Sequence, residues 1–232
     1  MNIIDIVAAG MREDNNRLSI VSSNLANVLT PGYKRQIAAE RFDATLAALG
    51  APSSSHSIQI DSSAGALRAT GNAADIAIEG DAWFEFDTAA GPRYSRGGML
   101  HVDTAGRLVN AQGAPIVTSG GAVLTSAAFR IDPNGDIVQG GRVTGRVKLV
   151  SFDHPERLQP AGAGLYDATG LQASTQTLDS RVRSGFMEAS NVNSPQEMVR
   201  LSETVRHFES LQRAVQGYDE ALGSAIRKLG EF

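Results

Sequence analysis

Read by sevens, the opening of the chain places Ile4, Val7, Met11, Asp14, Leu18, Val21, Leu25 and Val28 on one seam, in alternating steps of three and four. All but Asp14 are apolar, and Arg12, Glu13, Asn16 and Ser23 fall on the opposite side, so the spacing predicts an amphipathic helix with a narrow stripe. The C-terminal stretch repeats the pattern with Met198, Leu201, Val205, Phe208, Gln212, Val215, Asp219, Leu222, Ile226 and Leu229. Ser194-Pro195-Gln196-Glu197 offers an N-cap hydroxyl, a proline at the first helical position and a glutamate three residues on, which predicts where this second helix starts. Its outer face alternates in sign through Glu197, Arg200, Glu203, Arg206, Glu209 and Arg213, the pattern of a solvated face or of an interchain ladder.

Between these ends the period changes. Glycine and short alternating runs dominate residues 63–169, and one pattern occurs twice, in LHVDTAGRLV (Leu100 to Val109) and FRIDPNGDIV (Phe129 to Val138). In each, two short strands flank a loop where Asp can bond its own backbone and Gly accepts positive φ, which predicts two β-hairpins. Further alternation in DIAIEGDAWFEF, APIVTSGGAVLT and GRVKLVSF adds enough strands for a small, mostly antiparallel β-domain. The fold class expected is therefore α+β, with N- and C-terminal amphipathic coiled-coil helices flanking a central β-domain. The segments expected are a helix over 1–30, a joint and extended linker over 31–62, the β-domain over 63–169, a return segment over 170–193 and a helix over 194–232. LGAPSSSHS (Leu49 to Ser57) reads as a flexible connection.

The formal charge of -4, with both signs spread along the chain, supplies no basic stripe for phosphates, and nucleic acid is not expected as a partner. There is no cysteine, which excludes disulfides, thiolate nucleophiles and cysteine-held metals. At the start, Arg12, Glu13 and Asp14 interrupt the apolar run, so neither a cleaved leader nor a membrane span is expected.

Catalytic chemistry finds little support. His56, His101, His154 and His207 have no second ligand at metal-binding spacing, and the loop from Asp132 to Asp136 carries its glycine too early for a calcium loop. Glu79 and Asp81 flank Gly80 and could serve as the paired carboxylates of a hydrolase; a turn at a hairpin end explains them equally without chemistry. Ser53 to Ser55 sit in linker composition with no nucleophile elbow, and Trp83 reads as a core anchor. No cofactor, no metal and no catalytic residue is expected.

The stretch SSNLANVLTPGYKR (Ser22 to Arg35) breaks an apolar helix with two asparagines, a Thr-Pro-Gly turn, an aromatic and two cations. Here the chain resembles the bacterial flagellar axial proteins and, among them, the basal-body rod proteins. The family's Asn-Leu-Ala-Asn, then Thr-x-Gly-Tyr/Phe and basic residues, is matched by Asn24, Leu25, Ala26, Asn27, Thr30, Gly32, Tyr33, Lys34 and Arg35. Its C-terminal pattern is matched by Glu188, Ser190, Asn191, Val192, Glu197, Met198, Val199, Arg206, Phe208 and Glu209. NAADIAIEGDAWFEF, YSRGGMLHVDTAGRLV and AQGAPIV are similar to the β-region of rod and hook proteins. Ala82-Trp83-Phe84 and Phe186-Met187 depart from the family's Gly-Phe-Phe and Leu or Tyr-Leu, changes that keep the apolar character.

The resemblance implies a structural rod subunit, exported unfolded through the flagellum-specific type III apparatus and assembled in the periplasm with copies of itself and other rod proteins. A short chain with a modest β-domain is more similar to the proximal than to the distal rod type; a hook-type relative and a wall hydrolase with helical arms are the alternatives. Helices with one narrow stripe need partners, so the two ends are expected to pair with each other and then with neighbouring subunits. Thr30-Pro31-Gly32 suits a type II turn, and this joint is expected to lie against the Glu188 to Ser194 turn. Asp14, Gln212 and Asp219 either fix the register of the seams or face lumen and solvent.

Overall fold

A computed structural model describes residues 3–39, 57–121, 123–124, 128–175 and 179–229. The chain divides into two compact units: Met1–Ala26 with Asn193–Phe232, and Asn27–Val192. The architecture is α+β, a helix at each end of a mostly antiparallel β region.

The first unit consists of α1 (Ile3–Ala26) and α2 (Ser194–Leu229). Asn24 meets Glu197, Asp14 meets His207, and a Cβ on Gly10 would touch the Leu211 side chain at 3.0 Å. Each step back along α1 is matched by an equal step forward along α2, so the helices run antiparallel in one register. In that register the last turns of α2, with Leu222 and Ile226, pass beyond the start of α1. Both helices thus have an intrachain partner, as their narrow stripes require.

The helix begins one residue from where the sequence places its cap. Asn193 Oδ1 accepts the Gln196 N–H at 3.2 Å and Asn193 O accepts the Glu197 N–H, so Asn193 and not Ser194 is the capping residue. Asparagine ranks with serine as a cap, and it stands first in the chain.

The face that α2 turns inward is also displaced. Leu201, Thr204, Phe208, Leu211, Val215 and Tyr218 are half-buried and Glu197 is fully buried. Met198, Val205, Leu222 and Ile226, expected on the seam, are exposed, as are Gln212 and Asp219; the Leu229 side chain lies outside the described residues. The rotation follows from polar contacts: Glu197 faces Asn24 and His207 faces Asp14, so that Leu201, Phe208 and Val215 stay inward while Glu197, Thr204, Leu211 and Tyr218 take the places expected for Met198, Val205, Gln212 and Asp219. On α1, Val7, Met11, Leu18 and Leu25 are half-buried, Asp14 and Val21 are buried, and Ile4 is exposed.

In the second unit every strand pair is antiparallel. Strand β1 (Gln36–Ala39) pairs with β2 (Ser57–Ile60), within the stretch expected to be linker. Most of the connection Leu49 to Ser57, up to His56, lies outside the described residues. Strand β3 (Leu67–Ala69) pairs with β18 (Phe186–Glu188), and β4 (Asp75–Glu79) lies between β17 (Arg181–Ser184) and β7 (Gly98–Met99). The return segment is therefore built into the β unit. A five-stranded sheet runs in the order β14 (Leu149–Val150), β5 (Trp83–Thr88), β6 (Gly91–Ser95), β16 (Leu165–Asp167), β15 (Gln159–Gly162). A four-stranded sheet has β10 (Thr118–Ser119), β13 (Arg142–Val147), β12 (Asp136–Gln139) and β11 (Phe129–Ile131).

Both expected hairpins form. Strand β8 (His101–Val102) pairs with β9 (Leu108–Val109), and β11 with β12. The loops match bond for bond: Gly106 N–H to Asp103 O and Gly135 N–H to Asp132 O, with φ of 77° and 82° at the two glycines.

Strand β5 separates two cores because successive side chains leave a strand on opposite faces. Phe84 and Phe86 join Ile76, Ile78, Leu108, Ile137 and Val182 in one cluster. Trp83 points the other way, into Ile60, Tyr94, Val150, Phe152, Leu158 and Tyr166. It stacks edge-on to Tyr166 with ring centroids 5.3 Å apart, the anchor expected of the single tryptophan.

Candidate assembly site

The joint after α1 is built by local sequence. Thr30 precedes proline and is pushed out of helical dihedrals; Tyr33 N–H then donates to Thr30 O at 3.2 Å, with Gly32 at φ 69° in the third place of a type II turn. Gly32 is required twice over, since a Cβ there would lie 2.0 Å from Gly97 N. Thr30 Oγ1 donates to Asn27 Oδ1 at 3.0 Å, closing the turn from its other side.

The turn rests against the segment that leaves the β unit. Gly32 N–H donates to Glu188 O at 2.8 Å, and Arg35 N–H donates to Asn191 Oδ1 at 2.7 Å. Asn191 Nδ2 donates to Asp61 O and Ser63 O, and Ser190 Oγ accepts the Val192 N–H. The two motifs thus sit side by side, with Asn191 as the bracket between them and Tyr33 and Val192 buried.

Lys34 is fully buried, and its acidic neighbour is Glu188 of the same chain: Lys34 Nζ donates to Glu188 Oε1 at 2.6 Å, while Arg96 Nε donates to Oε2 at 2.8 Å. Lys34 N–H donates to the Tyr166 hydroxyl at 2.6 Å. Burial draws the Lys34 ammonium below its ordinary pKa against the pull of Glu188, and burial pushes the Tyr166 phenol well up.

In the helical unit, Asn24 Nδ2 donates to Glu197 Oε2 at 3.2 Å and Arg200 donates to Oε1 at 2.9 Å. Leu25 and Phe208 are half-buried, whereas Met198, Val199, Arg206 and Glu209 are exposed. Glu209 pairs with Arg213 at 3.7 Å along the outer face.

The long-range pairings at these sites escape a reading of the sequence. Arg96, Tyr166 and Glu188 complete the Lys34 cluster, and His207, expected to stand alone, contacts Asp14 at 2.6 Å. Glu188 belongs to the matched C-terminal pattern and Arg96 to a stretch similar to the family's β-region, whereas Tyr166 and His207 carried no local signal. Glu79 and Asp81 flank Gly80 at φ 112°, and Glu79 lies half-exposed, 3.5 Å from Arg183, an ordinary ion pair at a turn. Among the described residues no helix is long and apolar enough to cross a membrane, and no cluster of three or more His, Asp and Glu side chains is placed to hold a metal.

These features define a protein whose chain ends pair as helices and whose β unit is fastened where the chain comes in and goes out. Three family descriptions match in order along it: "Flagella basal body rod protein" over residues 4–34, "Flagellar hook protein FlgE/F/G D1 domain" over 77–149 and "Flagellar basal body rod FlgEFG protein C-terminal" over 183–228. The chain is 31% identical over 228 residues to the flagellar basal-body rod protein FlgF of Mesorhizobium japonicum, covering 92% of each. It is 30% identical to FlgF of Caulobacter vibrioides, with 93% of this chain and 92% of that protein aligned. FlgG of Bacillus subtilis is 28% identical, with 94% and 95% covered. The chain belongs to the flagellar basal-body rod protein family.

Proposed function

We propose that this chain is a subunit of the proximal part of the rod, self-assembling helically through its paired terminal helices and transmitting torque along the flagellar axis. The observation that carries the reading is that Met198 and Val205 stay exposed on α2 beside the face that α1 takes, and that Leu222 and Ile226 stay exposed on the turns of α2 that pass beyond the start of α1. Ile4 and Ile6 of α1 are exposed as well. One narrow row on each side of a helix pair suits successive neighbours in an open stack, where a surface on one subunit meets a different surface on the next. The partners are copies of this chain and other rod proteins in the periplasm, reached through the flagellar type III export apparatus. The matched motifs at both ends support a structural role with no catalytic step.

The proximal assignment rests on FlgF relatives at 29 to 31% identity beside FlgG at 28%. It is tested by deleting the gene, scoring motility, and asking whether plasmid-borne copies of a FlgF or a FlgG relative restore swimming. Recovery of the protein in isolated basal bodies, with restoration by FlgF, is expected. A motile deletion strain, or absence of the protein from basal bodies, would overturn the assignment.

A further inference from the structure

Three distant pieces of the β unit converge on one buried carboxylate. Glu188 accepts from Lys34 Nζ, from Arg96 Nε and, at 3.0 Å, from the Gly65 N–H. The three charged side chains are at most 3% exposed. Lys34 Nζ also donates to Ser63 O, and the Arg96 guanidinium donates to the carbonyls of Ile78, Gly80 and Ala82, so both cations are held by backbone carbonyls as well as by the carboxylate.

Such a cluster contributes little net stability, because desolvating three charges offsets most of their attraction. It imposes a condition instead. Without the carboxylate two cations would be buried together, so the chain around Lys34 can close only when β18 is in place. The surrounding contacts are mostly backbone bonds: Gly32 to Glu188, Asn191 to Tyr33, Asp61 to Arg35 and Ala189 to Ala66, along with the β1 and β2 ladder. Apolar attachment of this layer to the two cores is thin, led by Ile60.

We propose that the Lys34, Arg96 and Glu188 cluster is the clasp of a strap: residues 31–39, 57–65 and 186–192 open and close as one cooperative element while the two apolar cores stay folded. Regions held by few apolar contacts open at lower free energy than cores do, and here one carboxylate controls that opening. The strap spans the points where the chain comes into and leaves the β unit, so its closure fixes the spacing of those two points.

Hydrogen exchange on the full chain, comparing wild type with Glu188→Gln, tests this. Amides of Gly32, Lys34, Arg35, Asp61 and Ala189 are expected to exchange faster by about tenfold or more, while those of Ile116, Val117 and Val147 change by less than about twofold. Equal acceleration everywhere, or none in the strap, overturns the proposal. Should Glu188→Gln not accumulate as folded protein, Asn191→Ala removes the neutral bracket and leaves all three charges. The same confined pattern is then expected, and a uniform one again overturns the idea.

Discussion

Asp14 and His207 stand 193 positions apart in the chain and touch at 2.6 Å, the carboxylate buried and the imidazole more than half exposed. A buried carboxylate in a helix seam needs a donor, and His207 supplies it from the other helix. His207→Leu is expected to destabilise the helical unit by about 1–3 kcal/mol, the cost of stranding a polar group. Asp14→Asn, which keeps an acceptor, is expected to cost less. Thermal melts followed by helical circular dichroism read both, and an unchanged midpoint for His207→Leu would show that the contact carries no energy.

Gly32 and Gly71 share a positive φ, 69° and 75°, yet only Gly32 is crowded, with Gly97 backbone where its Cβ would go; nothing lies within 4 Å at Gly71. Alanine at Gly71 is expected to cost about 1 kcal/mol for backbone strain alone. Alanine at Gly32 is expected to cost about 2–4 kcal/mol, since backbone has to shift as well. Denaturant unfolding read through Trp83, the single tryptophan, checks the difference. Equal losses at the two positions would refute the crowding.

Tyr94 and Tyr166 both have phenols raised above the ordinary value of 10.0, chiefly by burial. Below about pH 10 both states keep these protons and they give no pH dependence. Above it the unfolded chain releases protons that the folded one retains, so stability falls as pH rises. Lys34 acts in the opposite sense: its lowered pKa means the folded state loses a proton first, which adds stability with rising pH up to its ordinary value of 10.5. Tyrosinate absorbance isolates the phenols. Tyr94 and Tyr166 are expected to ionise only together with the loss of Trp83's folded fluorescence; smooth ionisation of these two with Trp83 unchanged would contradict their burial.

The exposed row on α2 gives a test that separates assembly from folding. Val205→Asp and Ile226→Asp lie on solvent-facing positions and are expected to shift the stability of the isolated protein by less than about 0.5 kcal/mol. Both are expected to abolish motility while the protein is still made. Normal swimming by both variants would remove this row from the assembly surface.

How much of this was legible follows from the range of each interaction. The terminal helices were readable because heptads repeat locally, and the two hairpins because Asp103 with Gly106, and Asp132 with Gly135, write their loops within a few residues. The type II turn at Pro31-Gly32 was readable for the same reason. The rotation of α2 was not, because it is set by Asn24 and Asp14 from the far end of the chain. Nor was the partner of Lys34: a cation after an aromatic calls for an acidic neighbour, but Glu188, which fills that place, stands 154 positions away. The two-residue strands β7 and β14 have too little sequence to show a period, and β17 and β18 sat in a stretch read as a return connection.

Asn24 and Asp14 are spaced along α1 by the same interval as Glu197 and His207 along α2, like two teeth of one key. A slip of four residues that carried Asn24 on to Leu201 would carry Asp14 on to Leu211, setting both teeth against greasy wards in the same instant.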